Sequence, residues 1–221
     1  MTSGPVLPDV AVTQRTITVP GRGTLRVEPD LGRVRLGVVV VTPSPSEART
    51  AAAVAMEAVI GAIVASGVER KELRTSLVAL DAVRDYSQDA TPRITGYQLT
   101  NTIEVLVRSV VDIGAVIDVA LSSGATSVDG LSFEVADPSL PLADARRAAV
   151  ADARLRATLL ADEAGVRLGA VLAIVEDPGL MAGPPRPLME MAFKSASDSG
   201  TPVEAGRLDV DVRIAVTFAI A

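Results

Sequence analysis

From Leu208 to Ile220 every second residue is apolar: Leu208, Val210, Val212, Ile214, Val216, Phe218 and Ile220. Arg207, Asp209, Asp211, Arg213 and Thr217 occupy the alternate positions. A period of two puts alternate side chains on opposite faces of a strand. This segment therefore reads as an antiparallel strand that covers a core with one face and meets water with the other. Residues 97–108 obey the same rule. Tyr97, Leu99, Asn101, Ile103, Val105 and Val107 form one row, and Gln98, Thr100, Thr102, Glu104, Leu106 and Arg108 the other. A chain with such segments must build sheets and find something to cover them.

The cover comes from helices with readable ends. In residues 42–67, Ser44 is placed to accept from the first turn, Pro45 fits the first helical position, Glu47 stands at capping-box spacing, and Gly67 is the stop. The stripe Ala52, Met56, Val59, Ile60, Ile63 faces the core. Residues 109–124 form a short helix with Ser109 and Asp112 at capping-box spacing and a stripe of Ile113, Val116, Ile117, Ala120 and Leu121. Residues 139–164 form a long helix ending near Gly165. Strands are expected at 31–42, 72–87, 94–108, 125–137, 166–177 and 205–220, and the valine run ending the first of these suggests burial on both faces. Residues 16–30 read as a short extended pair broken at Gly21 and Gly23, and residues 88–93 as a turn. Two similar β-α-β-β units emerge, 16–108 and 125–221, joined by the helix 109–124. The fold class is α+β, with mixed sheets covered by helices on one side. Residues 1–15 are a flexible lead-in. Residues 178–204, rich in Pro, Gly and Ser but carrying Met181, Met189, Met191 and Phe193, read as a mobile loop.

The 221-residue chain has three Phe, two Tyr and no Trp, so its core is aliphatic. A formal charge of −6 with few aromatics disfavours nucleic acid, which is bound through phosphate neutralisation and base stacking. Lys71 and Lys194 are the only lysines. Without cysteine there is no disulfide or thiolate metal site. Without histidine the commonest metal ligand and general base are gone. No segment is expected to provide the roughly 18 apolar residues of a membrane span. The start lacks a basic stretch followed by an apolar run, so the chain as given reads as cytoplasmic, or as an envelope protein whose leader has been trimmed.

Candidate chemistry is sparse. Carboxylates alone would suit Ca²⁺ or Mg²⁺, but Asp209 and Asp211 sit between Arg207 and Arg213 and read as a solvated ion-pair face. Gly21-Arg22-Gly23 lacks the remainder of a phosphate-binding fingerprint and reads as a tight turn. Glu104 and Glu134 are the one carboxylate pair considered for acid–base work, weighed against ordinary exposed strand carboxylates. In the long helix, Asp152 and Arg156 are one turn apart and can pair, on an exposed face or a subunit contact. Asn101, on the apolar row, needs hydrogen-bond partners and is expected to lock the hairpin to an adjacent segment. No catalytic residue, metal ligand or cofactor site is assigned.

With the segments in this order, the chain resembles the SIMPL-domain family, also called DUF541. The resemblance is carried by ITVPGRGTLRVEPD (17–30), ITGYQLTNTIEVLVR (94–108), IDVALSSGATSVDGLSFEVADP (117–138), ARRAAVADARLRATLLADEAGVRLGAVLAI (145–174) and PVEAGRLDVDVRIAVTF (202–218). It implies an α+β domain found mostly in envelope-associated bacterial proteins, a link to oxidative or other stress, and oligomeric, ring-like assemblies. It implies no catalytic residues and no cofactor. Relatives usually begin with a signal sequence, which residues 1–15 do not show. The expectation is a non-enzymatic, self-assembling or scaffolding protein. The alternative is a small-molecule or peptide binding module with residues 178–204 as its lid.

Overall fold

The computed structural model describes residues 15–85, 93–176 and 201–221. The expected lead-in up to residue 14, residues 88–92 of the expected turn and most of the loop 178–204, with its Met and Phe residues, lie outside them, while Arg93 already belongs to a strand. The elements are β1 (Thr16–Val27), β2 (Leu31–Thr42), α1 (Pro45–Ala65), β3 (Leu73–Asp85), β4 (Arg93–Val107), α2 (Ile113–Ser122), β5 (Ser127–Glu134), α3 (Ser139–Glu163), β6 (Leu168–Glu176) and β7 (Leu208–Ile220). This is an α+β chain with two sheets, ordered β1-β7-β6 and β3-β4-β2-β5.

Strands sort by pairing, not by position along the chain. β5, read from sequence as the opening strand of the second unit, pairs antiparallel with β2. Its place beside β7 is taken by β1. Ile220 N–H donates to Arg15 O, Thr18 meets Thr217, and Arg26 meets Asp209, so β1 and β7 are antiparallel. Two β-α-β-β arrangements result, β2-α1-β3-β4 and β1-α3-β6-β7, the first lying within the chain interval between β1 and α3. In both, the final strand lies between the other two. The strands flanking each helix keep the parallel sense expected of a crossover, yet every hydrogen-bonded neighbour pair is antiparallel rather than mixed, because the returning strand fills the gap.

In the unit holding the four-stranded sheet, Val34, Leu36 and Val38 of β2 and Ile103, Val105 and Val107 of β4 share one face. They pack with Met56, Val59 and Ile63 of α1 and Ile113, Val116, Ile117 and Ala120 of α2. The helix starts as read: Ser44 Oγ accepts from Glu47 N–H at 3.3 Å, Pro45 opens the helix, and Gly67 follows it at φ 108°. The second helix departs from its expected cap. Neither Ser109 nor Asp112 makes a side-chain cap bond, and a 3-10 turn over Val110–Asp112 leads in instead. The far face of β2 is only partly buried: Gly37 is buried, Arg33 and Val39 are half-buried, and Arg35 and Val41 are exposed. One face of the valine run therefore meets the helices and the other does not. By length and composition α1 could cross a bilayer, contrary to expectation. Its stripe Ala48, Ala52, Met56, Val59 and Ile63 is nevertheless buried within the protein, as in a core helix.

In the other unit the buried face of β7 runs from Leu208 to Phe218, as its alternation requires. The buried stripe of α3 is Ala145, Ala149, Ala153, Ala157 and Ala161. β1 is one continuous strand, so Gly21-Arg22-Gly23 is not a turn. A Cβ on Gly21 would lie 2.2 Å from Ala149 O, and one on Gly23 would lie 1.9 Å from Ala145 O. The glycines admit the helix backbone to the strand, a recognised use of glycine in a strand interior.

Candidate functional site

The polar row of β4 lies on the face of the four-stranded sheet opposite the helices. Register sets Glu104 across from Arg35 on β2 and Arg74 on β3, and Thr102 across from Gly37 and Leu77. Arg33 donates to both oxygens of Glu134, at 2.7 and 3.1 Å, and comes within 3.8 Å of Glu104. Arg74 donates to Glu104 at 2.6 and 2.8 Å. Glu104 and Glu134 are thus brought together, but through Arg33, and each has its own guanidinium. The Arg33 hydrogen bonds hold the Glu134 carboxyl below its ordinary range, and the same contact raises Arg33. Both changes favour the charged forms. A shared-proton dyad or a raised general acid needs the opposite.

Beside this lattice, buried Thr102 donates to Asp129 at 3.2 Å. Gly37 makes room for that reach, since a Cβ there would lie 2.3 Å from Ser127 Oγ and 3.0 Å from Asp129 Oδ2. Asn101 does not lock the hairpin: its Oδ1 is buried and accepts no hydrogen bond. It sits between Val38 and Val78, which offer no donor side chain. Glu72 and Arg108 pair at 2.7 Å at the end of the row.

The β1–β7 sheet carries a second ladder of charge. Asp211 accepts from Thr24 and from Arg22, and Arg26 lies 3.5 Å from the buried Oδ1 of Asp209. Asp209 and Asp211 are an ion-pair face, as read, although their partners come from β1 rather than from Arg207 and Arg213. The Thr24 hydroxyl first, and then Arg22, keep Asp211 below the usual aspartate range. Asp152 pairs with Arg156 as expected, at 3.0 Å, and also accepts the Arg22 N–H at 2.9 Å. Among the described residues no cluster of three carboxylates could hold a metal ion.

Residues 201–207 pass beside α2 without regular secondary structure. Thr201 donates its N–H and hydroxyl to Asp118, at 3.2 and 2.6 Å. Gly114 permits the approach, because a Cβ there would stand 2.6 Å from Thr201 O. Val203 packs against the core, and Arg207 meets Glu28 at 3.6 Å. A cavity of about 590 Å³ opens beside this strap, lined by Pro29, Val110, Val111, Glu204 and Gly206 among others. Sequence reading missed Arg33, Asp118 and Thr201. The signal for Arg33 was present, because Arg33 and Arg35 form a polar row in an otherwise aliphatic strand. Asp118 and Thr201 are 83 residues apart, and no local pattern joins them.

The last notable surface is aliphatic and uncovered. On β3, Leu77, Val78 and Leu80 are exposed, Val78 by 62%. β6 is exposed at every position except Leu168. These strands end their sheets among the described residues.

The family profile described as SIMPL, protein of unknown function (DUF541), matches residues 17–218. The 26 kDa periplasmic immunogenic protein of Brucella melitensis is 31% identical over 214 residues, covering 92% of this chain and 84% of that protein. The uncharacterized protein YggE of Escherichia coli is 25% identical over 158 residues, covering 72% of this chain and 64% of that protein. With a profile match over almost its whole length and this relative at 31% identity, the chain belongs to the SIMPL (DUF541) family.

Proposed function

We propose that this protein is a non-enzymatic scaffold of the bacterial envelope that works by assembling with copies of itself. The observation that carries this reading is the aliphatic load on the terminal strands of both sheets, β3 and β6, where large side chains face solvent. Soluble chains usually blunt such edges or cover them. The envelope location is supported by the Brucella relative, whose name describes it as periplasmic. The reading as a non-enzyme is supported by the site: Arg33 holds the Glu134 carboxyl below its ordinary range, and Glu104 accepts from Arg74. A role under stress rests on the family resemblance and on no residue named above. Native mass spectrometry of the untagged protein across micromolar concentrations tests the assembly. A discrete oligomer is expected, and a strict monomer at every concentration defeats the reading.

The second reading, a small-molecule or peptide binding module, is favoured by the cavity beside residues 201–207. It predicts a ligand retained on purification or a large thermal shift in a metabolite screen. The same mass spectra, which would show a bound small molecule, decide between the two.

A further inference from the structure

Resting on the self-assembly reading above, we infer that β6 is the strand through which two copies join, edge to edge and antiparallel, so that the three-stranded sheet continues across the contact.

Four strands end the two sheets among the described residues: β1, β6, β3 and β5. Three of them carry devices that discourage edge pairing. β1 has Pro20 and the ion-paired Arg22 and Arg26. β3 has Arg74, Asp81, Arg84 and Asp85, with two register shifts against β4. β5 has Asp129 and Glu134, with one register shift against β2. From Leu168 to Val175, β6 reads LGAVLAIV, with no charge, polar side chain or proline. Its protection is two register shifts against β7 before Ala173, after which the pairing is regular to Glu176.

Its side chains are open on both faces. Val171 and Ile174 share the face of Phe218 and Val216, which are buried, yet they are 40% and 53% exposed. Val175 points the other way and is 60% exposed. On β1, by contrast, Gly21 and Gly23 admit the backbone of α3. The helix reaches β6 where Arg146 binds Glu176.

Two features name the occupant. An uncharged aliphatic strand gives a foreign strand nothing to select by, whereas an identical strand matches it in residue type on both faces. Its flanks also differ in sign: Arg167 precedes the run and Glu176 closes it. Antiparallel pairing brings the Arg167 end of each copy to the Glu176 end of the other, while parallel pairing sets like charge beside like. Arg146 occupies Glu176 within one copy, but a carboxylate has acceptor sites for a second guanidinium.

The chain has no cysteine, so single cysteines placed one at a time across residues 170–175 test the geometry directly by oxidative cross-linking. Yield is expected to peak at one position and fall on both sides. Uniform yield along the strand means parallel pairing and overturns the inference, as does the absence of cross-links. Leu172→Lys should convert the oligomer into smaller species while leaving the circular dichroism spectrum unchanged. If that variant misfolds, the cysteine series still decides. An oligomer that survives Leu172→Lys intact overturns the β6 contact and leaves the self-assembly reading standing, whereas a wild-type monomer removes both. Amides of β6 protected from hydrogen exchange equally at all concentrations would mean that the chain's own residues cover it, and that result also overturns the inference.

Discussion

In one unit the helix is held over the sheet by bulk, and in the other it is drawn onto the sheet by missing side chains. Met56, Val59 and Ile63 of α1 share a core with Leu36, Val38 and Ile103. Ala145 and Ala149 of α3 meet Gly23 and Gly21 of β1, backbone against backbone. The strand order is the same in both arrangements, with the last strand between the two that flank the helix. The packing solution differs, and the tolerance to change differs with it. A core of large side chains loses stability when atoms are removed. A contact between backbones loses it when a single carbon is added. Coverage differs as well: two helices share the core of the four-stranded sheet, while β6 is left bare beside α3.

The largest effect should come from removing bulk where bulk is used. Ile63→Ala empties a fully buried site and should cost about 3 kcal/mol, within the range for such truncations. It would be read as a lowered urea midpoint with an unchanged slope. The reverse change belongs to the other unit. Gly23→Ala puts a carbon 1.9 Å from Ala145 O, so α3 must move, at about 2 kcal/mol. A Gly23→Ala protein with wild-type stability would mean that the helix is not seated on β1 and would dissolve the contrast between the units.

Much of this was legible in the sequence, but unevenly. The alternation of β7 and the ends of α1 are local signals, and Ser44, Pro45 and Gly67 do what their chemistry predicts. A lone Gly-x-Gly is the same pattern in a turn and at a close approach, so the local sequence of β1 suggests a turn where the strand is continuous. The discriminating fact lies more than a hundred residues on, in alanines at every fourth position from 145 to 161. Reading the two patterns together would have placed the helix on the strand. The exchange of β1 for β5 had no such signal, since strand neighbours are chosen by non-local packing. Glu104 and Glu134 were visible as carboxylates. What converts them from a candidate acid–base pair into an ion lattice is Arg33, a residue of a different strand.

A smaller effect of opposite sign should follow from adding a methyl group where nothing stands in its way. Gly61 lies on the exposed side of α1 with no atom within 4 Å of a Cβ built there. Gly61→Ala should therefore stabilise the helix by about 0.8 kcal/mol through backbone propensity, the reverse of Gly23→Ala. Thermal melts at low protein concentration would show it. If the gain disappears as concentration rises, the outer face of α1 is itself covered in the assembly, and the contact is wider than β6 alone.

The smallest effect separates the charge lattice from the core. Arg33 lowers the Glu134 pKa in the folded chain, so the unfolded chain binds that proton more readily. The stability this adds is present above the ordinary glutamate range, near 4.3, and is lost as pH falls through the lower folded value. Both side chains are about one-third exposed, which keeps the pair within the range of surface ion pairs, about 0–1 kcal/mol. Glu134→Gln should be slightly less stable than wild type at pH 7 and should lose less on acidification to pH 3, so the two urea midpoints converge. Asp211, lowered in the other unit by Thr24 and Arg22, keeps its own acid dependence in that variant. Parallel pH profiles for Glu134→Gln and wild type would mean that Arg33 does not hold Glu134 in solution. Convergence would leave Glu134 as an anion neutralised by Arg33, in a unit whose stability lies in its aliphatic side chains.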